Sequence, residues 1–227
     1  MQTVNTIAPL FPPQIKICGL TSAREAQACV AAGADAIGFI SYPKSPRHLE
    51  DQAIRRITAH LPRSVCPVGV FVNEDFERIM QAVDTGDLRA VQLHGREDPG
   101  LVEALTAEGL TVIKAVFVNG NPPLEAAARY PATAFLVECA GGPLPGGNAM
   151  DWNWADARQL PADRPVILAG GLTPDNIAIA IAGGGPAAVD VSSGVEISPG
   201  RKDMAKVNAF CRAVAACGAT TPFKIFD

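Results

Sequence analysis

The sequence predicts a single (β/α)8 barrel, and three observations predict it. Eight short apolar runs recur along the 227 residues, at a mean spacing of about 25 residues that suits a strand-loop-helix unit rather than an all-β repeat. The runs are continuous rather than alternating, as expected of strands covered on both faces. No linker or break of composition divides the chain, and a barrel commonly uses this many residues in one domain. The residue supply agrees: 48% of the chain is hydrophobic but only 6% aromatic, so the core must be built from Val, Ile, Leu and Ala, which fits buried parallel strands better than a sandwich. A doubly wound open sheet is the alternative. It would hold its ligand at one switch point, whereas a barrel draws on loops after many strands.

Taken in order, the first strand is expected over residues 14–18 and the first helix over 22–32, behind a Thr21/Ser22 cap. Residues 36–40 and 50–61 form the second unit. In the third, 67–72 leads through Asn73 to a helix over 75–83. Residues 90–93 with 98–108 make the fourth unit, 111–116 with 124–129 the fifth, and 134–138 with 156–160 the sixth. The seventh pairs 166–169 with a helix over 174–182, and the eighth pairs 188–191 with 203–216. Several of these helices stop at Gly or just before Pro, as helix ends do. Residues 14–217 are thus expected to be the barrel, 1–13 an N-terminal extension and 218–227 a C-terminal tail.

Charge and cysteine use exclude several classes of function. The balance of 19 Lys+Arg against 23 Asp+Glu leaves −4, with no basic run longer than two residues, so nucleic acid is not an expected partner. No stretch reaches the 18 or more apolar residues of a membrane span, and residues 1–14 lack the basic start and apolar middle of a signal peptide. A soluble cytoplasmic protein without a membrane partner is expected. The six cysteines, at 18, 29, 66, 139, 211 and 217, form no CxxC pair and no Cys/His cluster, so neither a metal site nor a disulfide framework is indicated.

Polar residues gather where the predicted strands end. Lys16-Ile17-Cys18-Gly19 follows the first, Lys44-Ser45-Pro46-Arg47-His48 the second, Gln92-Leu93-His94-Gly95 the fourth and Glu138-Cys139 the sixth. A barrel brings all of these to one face. Gly170-Gly171 then opens onto a helix expected from Pro174, and Ser192-Ser193-Gly194 follows the eighth strand. Backbone N–H groups can crowd an anion where no Cβ intrudes, and the loops after strands 7 and 8 are where barrels commonly hold phosphate. Gly170, Gly171, Ser192, Ser193 and Gly194 are therefore the candidate phosphate cradle.

Six motifs in register carry a family resemblance. Lys16-Ile17-Cys18-Gly19-Leu20-Thr21, Gly38-Phe39 with Ser45-Pro46-Arg47, Val68-Gly69-Val70-Phe71-Val72-Asn73, Val91-Gln92-Leu93-His94-Gly95, 168–176 (LAGGLTPDN) and 189–196 (VDVSSGVE) resemble phosphoribosylanthranilate isomerase. The likeness runs from about residue 14 to 210. It implies a (β/α)8 barrel and an Amadori rearrangement of N-(5-phosphoribosyl)anthranilate in tryptophan biosynthesis, without cofactor. It also implies a small anionic phosphosugar as partner and a monomer or homodimer.

The resemblance assigns roles residue by residue. Cys18 matches the general base, and the chemistry asks its site to favour thiolate, for instance through Lys16. The family has an aspartate as acid at the end of strand 6, where this sequence has Glu138. The run 141–150 before Asp151-Trp152 also departs from the family's glycine-rich loop. Arg47 matches the residue holding the anthranilate carboxylate, a task for a planar bidentate donor. Asp190 matches the contact to the sugar hydroxyls and Schiff base, and His94 is expected to orient its neighbours. The two departures keep other readings open: a divergent isomerase of the phosphate-binding barrels, or a phosphosugar-binding protein without catalysis. Indole-glycerol-phosphate synthase fits less well, because no catalytic lysine stands at the several strand ends where one is needed. Cys29, Cys66, Cys211 and Cys217 are expected to be structural, and His48 and His60 to lie at the surface.

Overall fold

The computed structural model describes residues 10–139, 152–219 and 221–226. The departing run 141–150 and Asp151 lie outside the described residues. Eight parallel strands close into a barrel in chain order: β1 (Gln14–Cys18), β2 (Ala36–Ile40), β3 (Cys66–Phe71), β4 (Ala90–Leu93), β5 (Thr111–Val118), β6 (Ala134–Cys139), β7 (Val166–Leu168) and β8 (Ala188–Val191). Closure is made by β1, which sets Lys16 opposite Asp190 of β8 and Cys18 opposite Gly38 of β2. The expected barrel is present and the open sheet is excluded.

The outer layer holds α1 (Ala23–Ala31), α2 (Asp51–Thr58), α3 (Phe76–Gly86), α4 (Pro99–Ala107), α5 (Ile177–Gly184) and α6 (Met204–Ala216). Local chemistry starts four of them. Ser22 accepts from the Glu25 amide, Asp75 from Arg78, Asp98 from Gly100 and Leu101, and Asp203 from Ala205 and Lys206, each satisfying N–H groups that a first turn leaves bare.

Four expectations are corrected. The segments Leu124–Arg129 and Trp154–Gln159 are 3-10 helices rather than α-helices. Each is only six residues long and ends beside an X-Pro step, Tyr130-Pro131 or Leu160-Pro161, which drives the residue before proline out of the α region. Helix α5 starts at Ile177, three residues beyond Pro174, because Thr173 N donates to Asn176 Oδ1 (2.8 Å) and Asn176 Nδ2 to Gly171 O (2.8 Å), closing a turn there. Finally, an antiparallel hairpin, β9 (Glu196–Ser198) and β10 (Arg201–Lys202), occupies the loop between β8 and α6.

The core has two layers. Ile17, Ile37, Phe39 and Leu93 face outward from the strands and pack with Ile54, Ile79, Val102 and Phe210 of the helices. Inside the barrel lie smaller side chains, among them Ala36, Ala90, Ala115, Ala134 and Ala188, with Ile113, Leu136 and Ile167. The floor is closed by the chain end. Gln14 Oε1 accepts from the amides of Ile225 (2.6 Å) and Phe226 (3.0 Å), and its Nε2 donates to Phe226 O (2.6 Å). Ile225 and Phe226 are buried against the barrel interior. Inward positions change character along the strands, from Ala90 to Gln92, from Ala134 and Leu136 to Glu138, and from Ala188 to Asp190. The barrel is thus apolar below and polar at its C-terminal mouth.

Candidate active site

At that mouth lies an open cavity of about 660 Å3, to which Cys18, Arg47, His94, Glu138, Asp190 and Ser192 all contribute. Six of the ten predicted site residues therefore share one hollow. The other four, Gly170, Gly171, Ser193 and Gly194, belong to the adjoining loops after β7 and β8.

On one wall, β1 carries Lys16 and Cys18 inward. Lys16 is fully buried and its Nζ donates to Asp190 Oδ2 at 2.8 Å. A Cβ added to Gly38 would sit 2.6 Å from Cys18 Sγ and 3.1 Å from Lys16 Nζ, so the bare Gly38 leaves room for thiol and ammonium to stand together. Burial would lower the Lys16 ammonium, but Asp190 and Cys18 outweigh it and hold it above its usual value. For Cys18 the balance tips the other way. Burial pushes its thiol up, and the opposing pull of Lys16 does not cancel this, so the expected thiolate-favouring environment is corrected: the unliganded site favours the thiol. Asp190 Oδ1 is buried with no protein partner among the described residues, leaving a carboxylate oxygen open to a ligand's donors.

Three strands away around the ring of eight, β6 carries Glu138 next to its last residue, on the wall nearly opposite. Its Oε1 lies 3.1 Å from His94 Nε2, and His94 Nδ1 lies 3.0 Å from Gln92 Nε2. The imidazole is thus held between the Gln92 amide and the Glu138 carboxyl, one ring nitrogen to each. The loop that carries His94 is held from beneath. Glu97 accepts from the amides of Asn73 (2.9 Å) and Gly95 (2.9 Å), while the buried Lys114 Nζ reaches Glu97 Oε2 (2.8 Å) and Gly95 O (2.8 Å).

At the rim, Arg47 grips Glu196 with both sides of its fork, Nε to Oε1 at 2.9 Å and Nη2 to Oε2 at 2.6 Å. That pair raises the guanidinium further above its already high value. Gly19 makes the approach possible: its φ is +79°, and a Cβ there would come within 2.6 Å of Arg47 Cδ.

A family model described as N-(5'phosphoribosyl)anthranilate (PRA) isomerase matches residues 15–213. The N-(5'-phosphoribosyl)anthranilate isomerase of Desulfatibacillum aliphaticivorans is 47% identical over 94% of this chain and 99% of its own length. The chain belongs to the N-(5'-phosphoribosyl)anthranilate isomerase family. It is an isomerase of tryptophan biosynthesis, as the sequence motifs imply. Among solved structures, phosphoribosyl anthranilate isomerase from Thermotoga maritima superposes with a TM-score of 0.81 at 38% identity, covering 90% of this chain and 99% of that one. Another, a phosphoribosyl anthranilate isomerase in complex with reduced 1-(o-carboxyphenylamino)-1-deoxyribulose 5-phosphate, matches with a TM-score of 0.78 at 38% identity, with the same coverage.

In this isomerase the two glycine-bearing loops meet closely. A Cβ on Gly194 would fall 1.9 Å from Leu172 O, so no side chain fits there while the loops keep their contact. Gly170 and Gly171 both take left-handed φ, at 77° and 67°. Thr173, Asp175, Gly194 and Lys206 line a shallow hollow beside them. Sequence reasoning named no role for Gln92, Glu97, Lys114, Glu196 or Lys202. Gln92 and Lys114 carried a signal, each being a polar residue inside an apolar strand run; Lys202, in a two-residue strand beside exposed Arg201, carried none.

Proposed function

We propose that this isomerase works by paired general acid–base catalysis, with Glu138 as acid and Cys18 as base, and needs no cofactor. The reaction converts N-(5-phosphoribosyl)anthranilate to 1-(2-carboxyphenylamino)-1-deoxyribulose 5-phosphate. The observation that carries this reading is that a carboxyl group and a thiol face one open hollow from nearly opposite walls. A sugar between them has an acid at its ring oxygen and a base at its C2′ hydrogen.

Glu138 gives its proton to the furanose oxygen as the C1′–O bond breaks and the nitrogen lone pair forms a protonated Schiff base. Cys18 acts from its thiolate form, reached when the thiol gives up its proton to solvent, and that thiolate then takes the C2′ proton. The C2′–H electron pair becomes the C1′=C2′ bond, and the C1′=N pair returns to nitrogen. The resulting enol becomes the ketone as the C2′ hydroxyl gives up its proton and C1′ gains one. Lys16 sits against the thiol and offsets part of the charge that this step requires. Arg47 holds the anthranilate carboxylate, Asp190 Oδ1 accepts from the sugar or the Schiff-base N–H, and His94 orients Glu138. Gly170, Gly171, Ser192, Ser193 and Gly194 cradle the phosphate. The same reading has a monomer or homodimer working in the cytoplasm.

The test follows the loss of the anthranilate adduct's fluorescence on conversion. Cys18→Ala and Glu138→Gln are each expected to lower kcat by at least about 10², the range of a general acid or base. Full turnover in either variant removes that residue from its role. Product binding without turnover in the unmodified chain points to a binding protein instead.

A further inference from the structure

Arg47 is one member of a buried cluster of three ions. Its fork is filled by Glu196, whose Oε1 also accepts from Lys202 Nζ at 2.8 Å and from the Gly200 amide at 3.2 Å. Lys202, 3% exposed, further donates to Cys18 O (2.6 Å) and to Ser192 O (3.2 Å). Burial alone would push the Glu196 carboxyl up, yet the bonds from Arg47 and Lys202 outweigh it and hold the group below its usual range. Glu196 is therefore a carboxylate at neutral pH, held between two cationic side chains.

Their sum decides what the rim can attract. Arg47 and Glu196 alone cancel, and a neutral pair offers an incoming carboxylate little. Lys202 brings the cluster to +1. Of the three, Arg47 lines the cavity while Lys202 and Glu196 stand behind it, so the surplus charge is felt at the guanidinium.

We propose that Lys202 is a specificity-determining positioning residue: by neutralising Glu196 from behind, it leaves the charge of Arg47 available to a carboxylate on the substrate. This rests on the reading of Arg47 as the carboxylate holder. Glu196 sets the direction of the fork, and Lys202 sets its net charge.

The experiment compares two probes on the full chain: reduced 1-(o-carboxyphenylamino)-1-deoxyribulose 5-phosphate, and the same compound made from aniline, which lacks the carboxylate. The ratio of their Kd values is the readout. Lys202→Met is expected to cut the preference for the carboxylated probe by about tenfold or more, with the carboxyl-free probe changed less than about threefold on the same principle of lost charge pairing. The double variant Glu196→Gln/Lys202→Met leaves Arg47 positive again and recovers the preference; Glu196→Gln alone keeps it. Equal weakening of both probes in Lys202→Met, or no recovery in the double variant, overturns the proposal. Should Lys202→Met not fold, Lys202→Gln and Glu196→Gln carry the same comparison, and loss of preference in Glu196→Gln counts against it. Arg47→Met separates the underlying reading: if it retains the preference, or the unmodified chain has none, Arg47 is not the carboxylate holder.

Discussion

Replacing Glu138 by the aspartate that the family resemblance implies at this position should nonetheless impair this enzyme. The glutamate reaches His94 at 3.1 Å. Removing one methylene withdraws the carboxyl by about 1.5 Å, which stretches that contact to roughly 4.6 Å, well beyond hydrogen-bond range. The backbone has little freedom to follow. A Cβ on Gly170 would already lie 3.1 Å from Glu138 Cβ, and Trp152 Nε1 ties the end of β7 through Ala169 O at 3.0 Å. A displacement of about 1 Å at a catalytic group can cost 10²-fold, or about 2.7 kcal/mol of barrier. Glu138→Asp should therefore lower kcat/KM by about two orders of magnitude, measured by the decay of substrate fluorescence. Glu138→Gln, which keeps the length but cannot donate a carboxylic proton, should fall at least as far. Activity of Glu138→Asp within about threefold of the unmodified enzyme would refute the reasoning, since the predicted penalty is some thirtyfold larger.

Ultraviolet titration of thiolate, taken as the difference between the unmodified chain and Cys18→Ala, should show Cys18 ionising above the ordinary thiol range. Lys16→Met should shift it further upward, because Lys16 is the main group opposing burial; a Cys18 thiolate at neutral pH in the free enzyme contradicts this. Gly194→Ala should force the loops after β7 and β8 apart, given the 1.9 Å approach to Leu172 O. Substrate KM should rise more than kcat falls, and an unchanged KM would detach these loops from phosphate. Phe226→Ala should destabilise the barrel by about 3 kcal/mol, the low end for a buried phenylalanine, and lower Tm by roughly 6–12 °C for a domain of this size. An unaltered melt would mean that the floor of the barrel is closed without the chain end.

How much of this was legible depended on how far apart in sequence the interacting residues stand. The barrel could be read because each apolar run reports its own strand, and Cys18, Glu138 and Asp190 could be placed because a residue at a strand end needs no partner to be assigned to the mouth. The ion clusters could not. Lys16 and Asp190 are 174 residues apart, Arg47 and Glu196 149, and Lys202 and the Cys18 carbonyl 184, so each pairing exists only once the ring of strands has closed. The two 3-10 segments are misread for a related reason: helix-forming residues are counted, and the proline two residues beyond each segment is given too little weight. The thiolate expectation for Cys18 failed because it rested on a nearby lysine without the cost of burial, which no local pattern reports. One clue to that burial was nonetheless present. Gln14, Lys16 and Cys18 alternate with Ile15 and Ile17 in a run read as continuous, and strict alternation assigns all three to the inner face of β1. A lysine on that face, with the rest of the strand apolar, requires a buried carboxylate from another strand, and Asp190 on the neighbouring β8 was the inward candidate at the same height.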